Sequence, residues 1–179
     1  VGSEMCIRDS YNDSIILPDT LSDAAKVAEN KNRDEGYLTD KYTFTGYAWF
    51  RRSCTLESDM TGLVSILTLE RTRVSTLYID GAEVGTCDSL CSTHRYDISS
   101  YMTAGTHEIV IRVANVGYKT GGGHMTSPDT QTNWLGIVGK MNIEIYPKSY
   151  ISDVRVIASA DGSLSVRGTV NGADNAVVT

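Results

Sequence analysis

The chain lacks any apolar stretch approaching the roughly 18 residues that a bilayer-spanning helix requires, so no membrane segment is expected. Positive charge is scarce as well. Sixteen Lys and Arg stand against 22 Asp and Glu, giving a formal net charge of −6 over 179 residues. Without a basic stripe to neutralise phosphates, a nucleic-acid partner is not expected. Cysteine is confined to Cys6, Cys54, Cys87 and Cys91. Cys87 and Cys91 lie close to His94 in GTCDSLCSTH and hint at zinc, but structural zinc takes four ligands and no second Cys/His pair is nearby. They are read instead as small buried or half-buried side chains with at most one disulfide. Catalytic signatures are missing too. The chain has no G-x-S-x-G elbow, P-loop, dinucleotide-binding G-x-G-x-x-G or H-E-x-x-H, so no cofactor or metal is expected. Asp129 and Glu144 are available carboxylates, yet glycoside hydrolysis needs two that face each other across a cleft, and nothing in their spacing places them so.

What is present is a globular balance, 41% hydrophobic and 21% charged, patterned for strands. The first nine residues, VGSEMCIRD, show neither a strand nor a helix period. They resemble translated sequencing-adapter sequence and are set aside from fold reasoning, so the missing signal peptide says nothing about export. SIILPDTLSDAAKVAENKN offers at most a helical turn. From Gly46 onward the pattern is β: GYAWFRRSCTL has strand density, and LVSILTLERTRVSTLYID should divide around Arg71–Arg73. Asp80-Gly81 between apolar runs predicts a two-residue type I′ hairpin. In HEIVIRVAN, Ile109, Ile111 and Val113 share one face, and in MNIEIYP Ile143 and Ile145 lie opposite Asn142 and Glu144. Trp49 is expected in the core, and Arg51 and Arg52 as an exposed pair or ion-pair partners. Pro147 and Lys148 mark a joint, after which two strands surround a second Asp-Gly, Asp161-Gly162. Many short strands with regular turns and almost no helix predict an all-β, two-sheet sandwich of jelly-roll type.

Between strands stands a long polar loop, GGGHMTSPDTQTNWLG over residues 121–136. Long loops inside compact domains are often functional. His124, Asp129, Gln131, Asn133 and Trp134 supply hydrogen-bonding and stacking groups suited to a small polar ligand. Each also has a plainer role: His124 bonded to backbone, Asp129 and Asn133 as turn formers, Trp134 packed beneath the loop, and Gly136 serving backbone geometry.

Four segments in order resemble the N-terminal sugar-binding domain of glycoside hydrolase family 2. LPDT is followed by GYAWFRR, as the family's L-P-x-T precedes G-x-A-W-Y/F-R/Q-R. LYIDGAEVGTCDSLCSTHRYDISSYMTAGTHEIVIRVAN is similar to "V-x-I-N-G-x-x-V-G … Y-D-I-T-x-x-L-x-x-G-x-N-x-I-x-V-x-V-x-N", with Asp80 and His107 each standing where the family has Asn. NWLGIVGKMNIEIYP resembles the closing strand, and ISDVRV the opening of an immunoglobulin-like domain. The resemblance spans residues 15–157. It implies a galactose-binding-like jelly-roll over 10–147 and the start of an immunoglobulin-like sandwich over 148–179. It further implies a parent retaining β-glycosidase whose catalytic glutamates lie in a downstream (β/α)8 barrel, these two domains being the expected partners along with a carbohydrate substrate. The loop would then be a rim of the sugar subsite, with His124, Asp129, Asn133 and Trp134 as substrate-binding candidates and no catalytic residue in this chain. Asn133 directly before Trp134 is at least as close to the family's glucuronidase form as to the galactosidase one, so the resemblance leaves the substrate sugar open. A free-standing carbohydrate-binding module and a purely structural sandwich are the alternatives.

Overall fold

The computed structural model describes the backbone of residues 3–6 together with residues 11, 13–31, 40–119 and 133–173. In chain order the strands are β1 (Ser3–Cys6), β2 (Asp13–Ile15), β3 (Asp19–Thr20), β4 (Tyr47–Leu56), β5 (Val64–Leu69), β6 (Val74–Ile79), β7 (Ala82–Cys87), β8 (His94–Asp97), β9 (Gly105–Ala114), β10 (Gly136–Ile137), β11 (Met141–Tyr146), β12 (Tyr150–Ala158) and β13 (Leu164–Asn171). Among the described residues the only helical element is a short 3₁₀ turn at Ser99–Tyr101.

Alternation decides which side each strand buries. β4 and β9 pair antiparallel along their whole length, from Tyr47 opposite Ala114 to Leu56 opposite Gly105, and β6 lies on the other side of β9. The resulting sheet has the order β2-β1-β4-β9-β6-β7, faced by a three-stranded sheet β11-β5-β8, with β10-β3 as a small ribbon. Ala48, Phe50, Leu77, Ile79, Ile111 and Val113 from the larger sheet meet Leu67, Leu69 and Tyr96 from the smaller in one continuous core. Removing each such Leu, Ile or Phe side chain from water stabilises the fold by about 1.5–3 kcal/mol.

The run 63–80 divides as expected. The chain leaves the small sheet after Leu69, crosses at 70–73 and enters the large sheet at Val74. Asp80 and Gly81 both have positive φ, 51° and 80°, which is the type I′ geometry that matches the twist of its flanking strands. The two departures from the family pattern meet here. His107 Nδ1 lies 2.7 Å from Asp80 Oδ2, and its Nε2 lies 2.9 Å from the Thr103 carbonyl. Both ring nitrogens therefore face acceptors, and the Asp80 carboxylate in particular raises the His107 pKa while its own is lowered.

Two sequence expectations are corrected, for Trp49 and for Ser3–Cys6. Trp49 is not in the core: Ala48 and Phe50 take the inner face, so parity turns Trp49 outward, where its ring lies 5.7 Å from Tyr78. Ile145 shares the parity of Ile143 as the alternation predicts, and on the outer strand of the smaller sheet it is 46% exposed although its ladder partner Ser65 is buried. Ser3–Cys6, which carries no strand period, nevertheless forms a strand between β2 and β4. Pairing at a sheet edge is made by the backbone and needs no side-chain alternation.

Beyond Pro147, β12 and β13 form a hairpin of their own. Its turn uses the second Asp-Gly differently. Gly162 alone has positive φ, its N–H donates to the Ser159 carbonyl, and Ser159 N–H donates to the Ser163 carbonyl, a longer loop closed by a left-handed glycine. Val154, Val156, Leu164 and Val166 are 58–66% exposed. A two-stranded sheet with uncovered apolar residues and open edges is an association hazard. Ending the chain after Pro147 is expected to raise the concentration at which it stays monomeric and to leave its melting temperature unchanged. A fall of many degrees on trimming would show that the hairpin is part of the first core.

Candidate functional site

The strands that bracket the polar loop end at a buried amide. Asn115, 2% exposed, follows directly on β9. Its Nδ2 donates to the carbonyls of Phe44 and Asn133, both at 2.7 Å, and its Oδ1 accepts the Gly46 N–H at 2.8 Å. Asn133 returns the contact, donating from Nδ2 to the Asn115 carbonyl at 2.8 Å. The Asn133 Oδ1 accepts the Tyr118 hydroxyl at 2.9 Å. Two asparagines thus clamp the departing and returning ends of the loop, and every polar atom of the Asn115 side chain is used.

The next residue, Trp134, is half-buried. Arg73 lies over its ring at 4.3 Å, donates from Nε to the Trp134 carbonyl at 3.2 Å, and is only 5% exposed. Burial depresses the Arg73 pKa and raises that of Tyr118 beside it; the stacked indole face offsets part of the guanidinium's lost hydration. Leu135 and Gly136 then lock against the chain before β4. Leu21 N–H donates to the Leu135 carbonyl, Thr72 Oγ1 donates to the Gly136 carbonyl at 2.8 Å, and Gly136 pairs with Thr20. Gly136 has φ of 152°, and a Cβ there would come within 2.3 Å of the Asp19 carbonyl oxygen. Only glycine fits, which is the backbone role expected for it.

The structure brings Asn133 and Trp134 together at the loop's base. His124, Asp129 and Gln131 lie outside the described residues. Asn115, Tyr118 and Arg73 were not singled out in sequence. Asn115 closes the motif segment IRVAN and could have been found there, whereas Arg73 reads as an ordinary surface charge in ERTR.

The zinc-like trio resolves differently. His94 is fully buried, its Nδ1 2.6 Å from Ser75 Oγ and its Nε2 2.6 Å from the Ser89 carbonyl. Both ring nitrogens are occupied by protein groups other than the thiols, and among the described residues Cys54, Cys87 and Cys91 form no disulfide. Nε2 must donate to the carbonyl, which leaves Nδ1 to accept from Ser75. Tyr96 completes the group, its hydroxyl donating to the Ser75 carbonyl at 2.8 Å. Ser75 and His94 are both 0% exposed, so no substrate reaches this Ser–His contact. It ties β6 to β8 across the two sheets.

No protein-family model matches the sequence, and no curated protein matches it. Solved structures do match the fold. The chain aligns over 96% of its length with 35% of a Faecalibacterium prausnitzii β-glucuronidase, at 15% identity and a TM-score of 0.69. It aligns over 96% with 24% of a glycosyl hydrolase family 2 member from Bacteroides cellulosilyticus, at 15% identity and 0.68. Over 89% it aligns with 24% of a β-D-mannosidase from Dictyoglomus thermophilum, at 15% identity and 0.65. The chain therefore has the fold of a portion of these glycosidases and spans between a quarter and about a third of their length.

Two measurements check the assignments of the polar interior. Asn115→Ala removes three hydrogen bonds and strands buried partners, so urea unfolding is expected to show a loss of about 2–4 kcal/mol; a loss below about 1 kcal/mol would mean the clamp is incidental. Burial depresses the His94 pKa below 6.5, so its neutral form is the folded one. The unfolded chain then takes up the proton first, and this contribution to stability falls as pH drops below 6.5. His107, with a raised pKa, works in the opposite direction. The acid-side loss is therefore read as the difference between the native chain and His94→Gln, and a difference that does not change between pH 7 and 5 would refute it.

Proposed function

We propose that residues 10–147 are the N-terminal sugar-binding jelly-roll domain of an exo-acting retaining β-glycosidase, and that residues 148–179 begin an immunoglobulin-like sandwich. The observation that carries this reading is the fold correspondence over nearly the whole chain with enzymes described as β-glucuronidase and β-mannosidase. It coincides with four family-like motifs in the right order. On this reading the acid and nucleophile belong to a barrel supplied downstream, and this portion contributes recognition. The described residues offer nothing that competes with that division of labour, since the Ser75–His94 contact is sealed.

The loop over 117–135 then forms one wall of the sugar subsite. His124 and Asp129 would meet hydroxyls directly, a carboxylate accepting two such bonds, and Trp134 would offer its uncovered edge. Asn133, with its amide bonded to Asn115 and Tyr118, would act by holding Trp134 and the loop return in place. The purely structural alternative draws on that same engagement of Asn133 and on Arg73 covering one face of Trp134.

Alanine at His124, Asp129 and Asn133 in the full-length enzyme separates the two readings. A lost charge-assisted bond is worth about 1.5–3 kcal/mol, so His124→Ala and Asp129→Ala are expected to reduce kcat/KM roughly ten- to a hundredfold with little change in melting temperature. Asn133→Ala is expected to lower both. If all three variants kept parental kcat/KM and only melted earlier, the loop would be scaffold and the subsite proposal wrong.

A further inference from the structure

The two sheets do not match in width, since six strands face three. The inward residues Met141 and Ile143 of β11 are only half-buried. They border an open cleft of about 250 Å³ that enters between the layers, with Phe50, Leu67 and Ile111 as its buried floor. Leu17 and Pro18, in the stretch between β2 and β3, line it as well. Protein interiors are packed to crystal-like density, and voids larger than a water molecule are few. An apolar gap of this size inside a sandwich is therefore space that the chain itself does not fill.

The lining is also one-sided in charge. It includes no carboxylate and no lysine, only Arg51 and Arg52. Arg51 is turned to the outer face, where its guanidinium lies 4.1 Å from the centre of the Tyr11 ring and 3.7 Å from Glu108. Arg52 has the inner-face parity of Phe50 and Cys54 yet is exposed, which puts it at the mouth of the cleft. Among the described residues no carboxylate pairs with it.

We infer that this cleft binds an amphipathic monocarboxylate of medium chain length, its hydrocarbon between the layers and its carboxylate at Arg52. Covering the apolar floor and walls with hydrocarbon removes both surfaces from water. A dry apolar cavity of about 150 Å³ takes a benzene, so about 250 Å³ has room for roughly ten carbons. At the mouth, the planar guanidinium fork matches the two oxygens of a carboxylate. The same lining rejects other ligands. A sugar would leave water for a cleft whose one strong side-chain donor is Arg52, and its remaining hydroxyls would go unbonded. A hydrocarbon without a head group leaves Arg52 unused, and an organic cation meets the wrong charge.

The test uses the full chain with methyl-¹³C-labelled methionine, titrated with sodium decanoate below its micellar range. Met141 is the one methionine that lines the cleft, and Met141→Leu assigns its signal. That signal is expected to move saturably, and the melting temperature to rise because the ligand favours the folded chain. Decanol, with the same tail and no charge, is expected to bind roughly fivefold more weakly than decanoate. Arg52→Gln should abolish that preference without changing the melting temperature of the free chain. Failure of the Met141 signal to move overturns the assignment, whether decanoate does not bind or binds only on the exposed β12–β13 hairpin. Equal binding of decanol and decanoate to the native chain overturns it as well, and so does a preference that survives in Arg52→Gln. The sugar-subsite reading stands apart from these outcomes, because it rests on residues that do not line the cleft.

Discussion

A single buried amide organises the end of the sandwich that carries the loop. Asn115 joins three pieces of chain that are far apart in sequence: the end of β9, the approach to β4 at Phe44 and Gly46, and the returning loop at Asn133. An alanine there would leave two carbonyls and one N–H in a dry environment, and orphaned buried groups cost more than the bonds themselves contribute. Closing a loop costs entropy that grows slowly with length, and five hydrogen bonds around Asn115 and Asn133 offset part of that cost where the chain leaves β9 and returns at Asn133. Arg73 over Trp134 and Thr72 on Gly136 extend the same anchoring to the strand that follows.

The polar groups inside the sandwich follow the same logic between the layers. Ser75, His94 and Tyr96 are buried, and each finds a partner across the gap between β6 and β8. Apolar packing alone tolerates sliding of one sheet on another, whereas a hydrogen-bonded trio is satisfied in one register only. The Asp80–His107 pair does comparable work outside. Two positions that each depart from the family pattern turn out to be one interaction, with the carboxylate also capping the Glu108 N–H. Departures that look independent in a sequence can be a single compensated change.

Much of the sandwich was legible. β9 alternates cleanly because one face is buried, the break at 70–73 coincides with a change of sheet, and Asp80-Gly81 carries its turn type in its backbone preferences. The misses have physical reasons. In YAWFRR the apolar run is continuous, so period alone cannot say that Trp49 faces out while Ala48 and Phe50 face in; parity relative to β9 decides it. Ile145 obeys the alternation yet stays 46% exposed on an outer strand while its partner Ser65 is buried, which no local pattern reports. Arg73 is invisible because its burial is created by Trp134, remote in sequence. Asn133 was read as a ligand group or a turn former, and its amide bonds to Asn115 and Tyr118 at the loop's base. His124 and Asp129, outside the described residues, stand where the sequence reading left them.

The placement of these bonds separates what holds the fold from what the loop presents. Among the described residues, the contacts that fix the loop ends are made by Asn115, Tyr118, Asn133, Leu135 and Gly136. Changes at these base positions strike buried bonds and the entry to β10 directly, so they are expected to be among the more costly in the domain. Asn115 carries three of these bonds and Gly136 admits no Cβ, so neither position has a conservative replacement. The frame at the base is therefore held by strand ends and by residues remote from one another in sequence, the scaffold role that strands beneath a loop commonly serve.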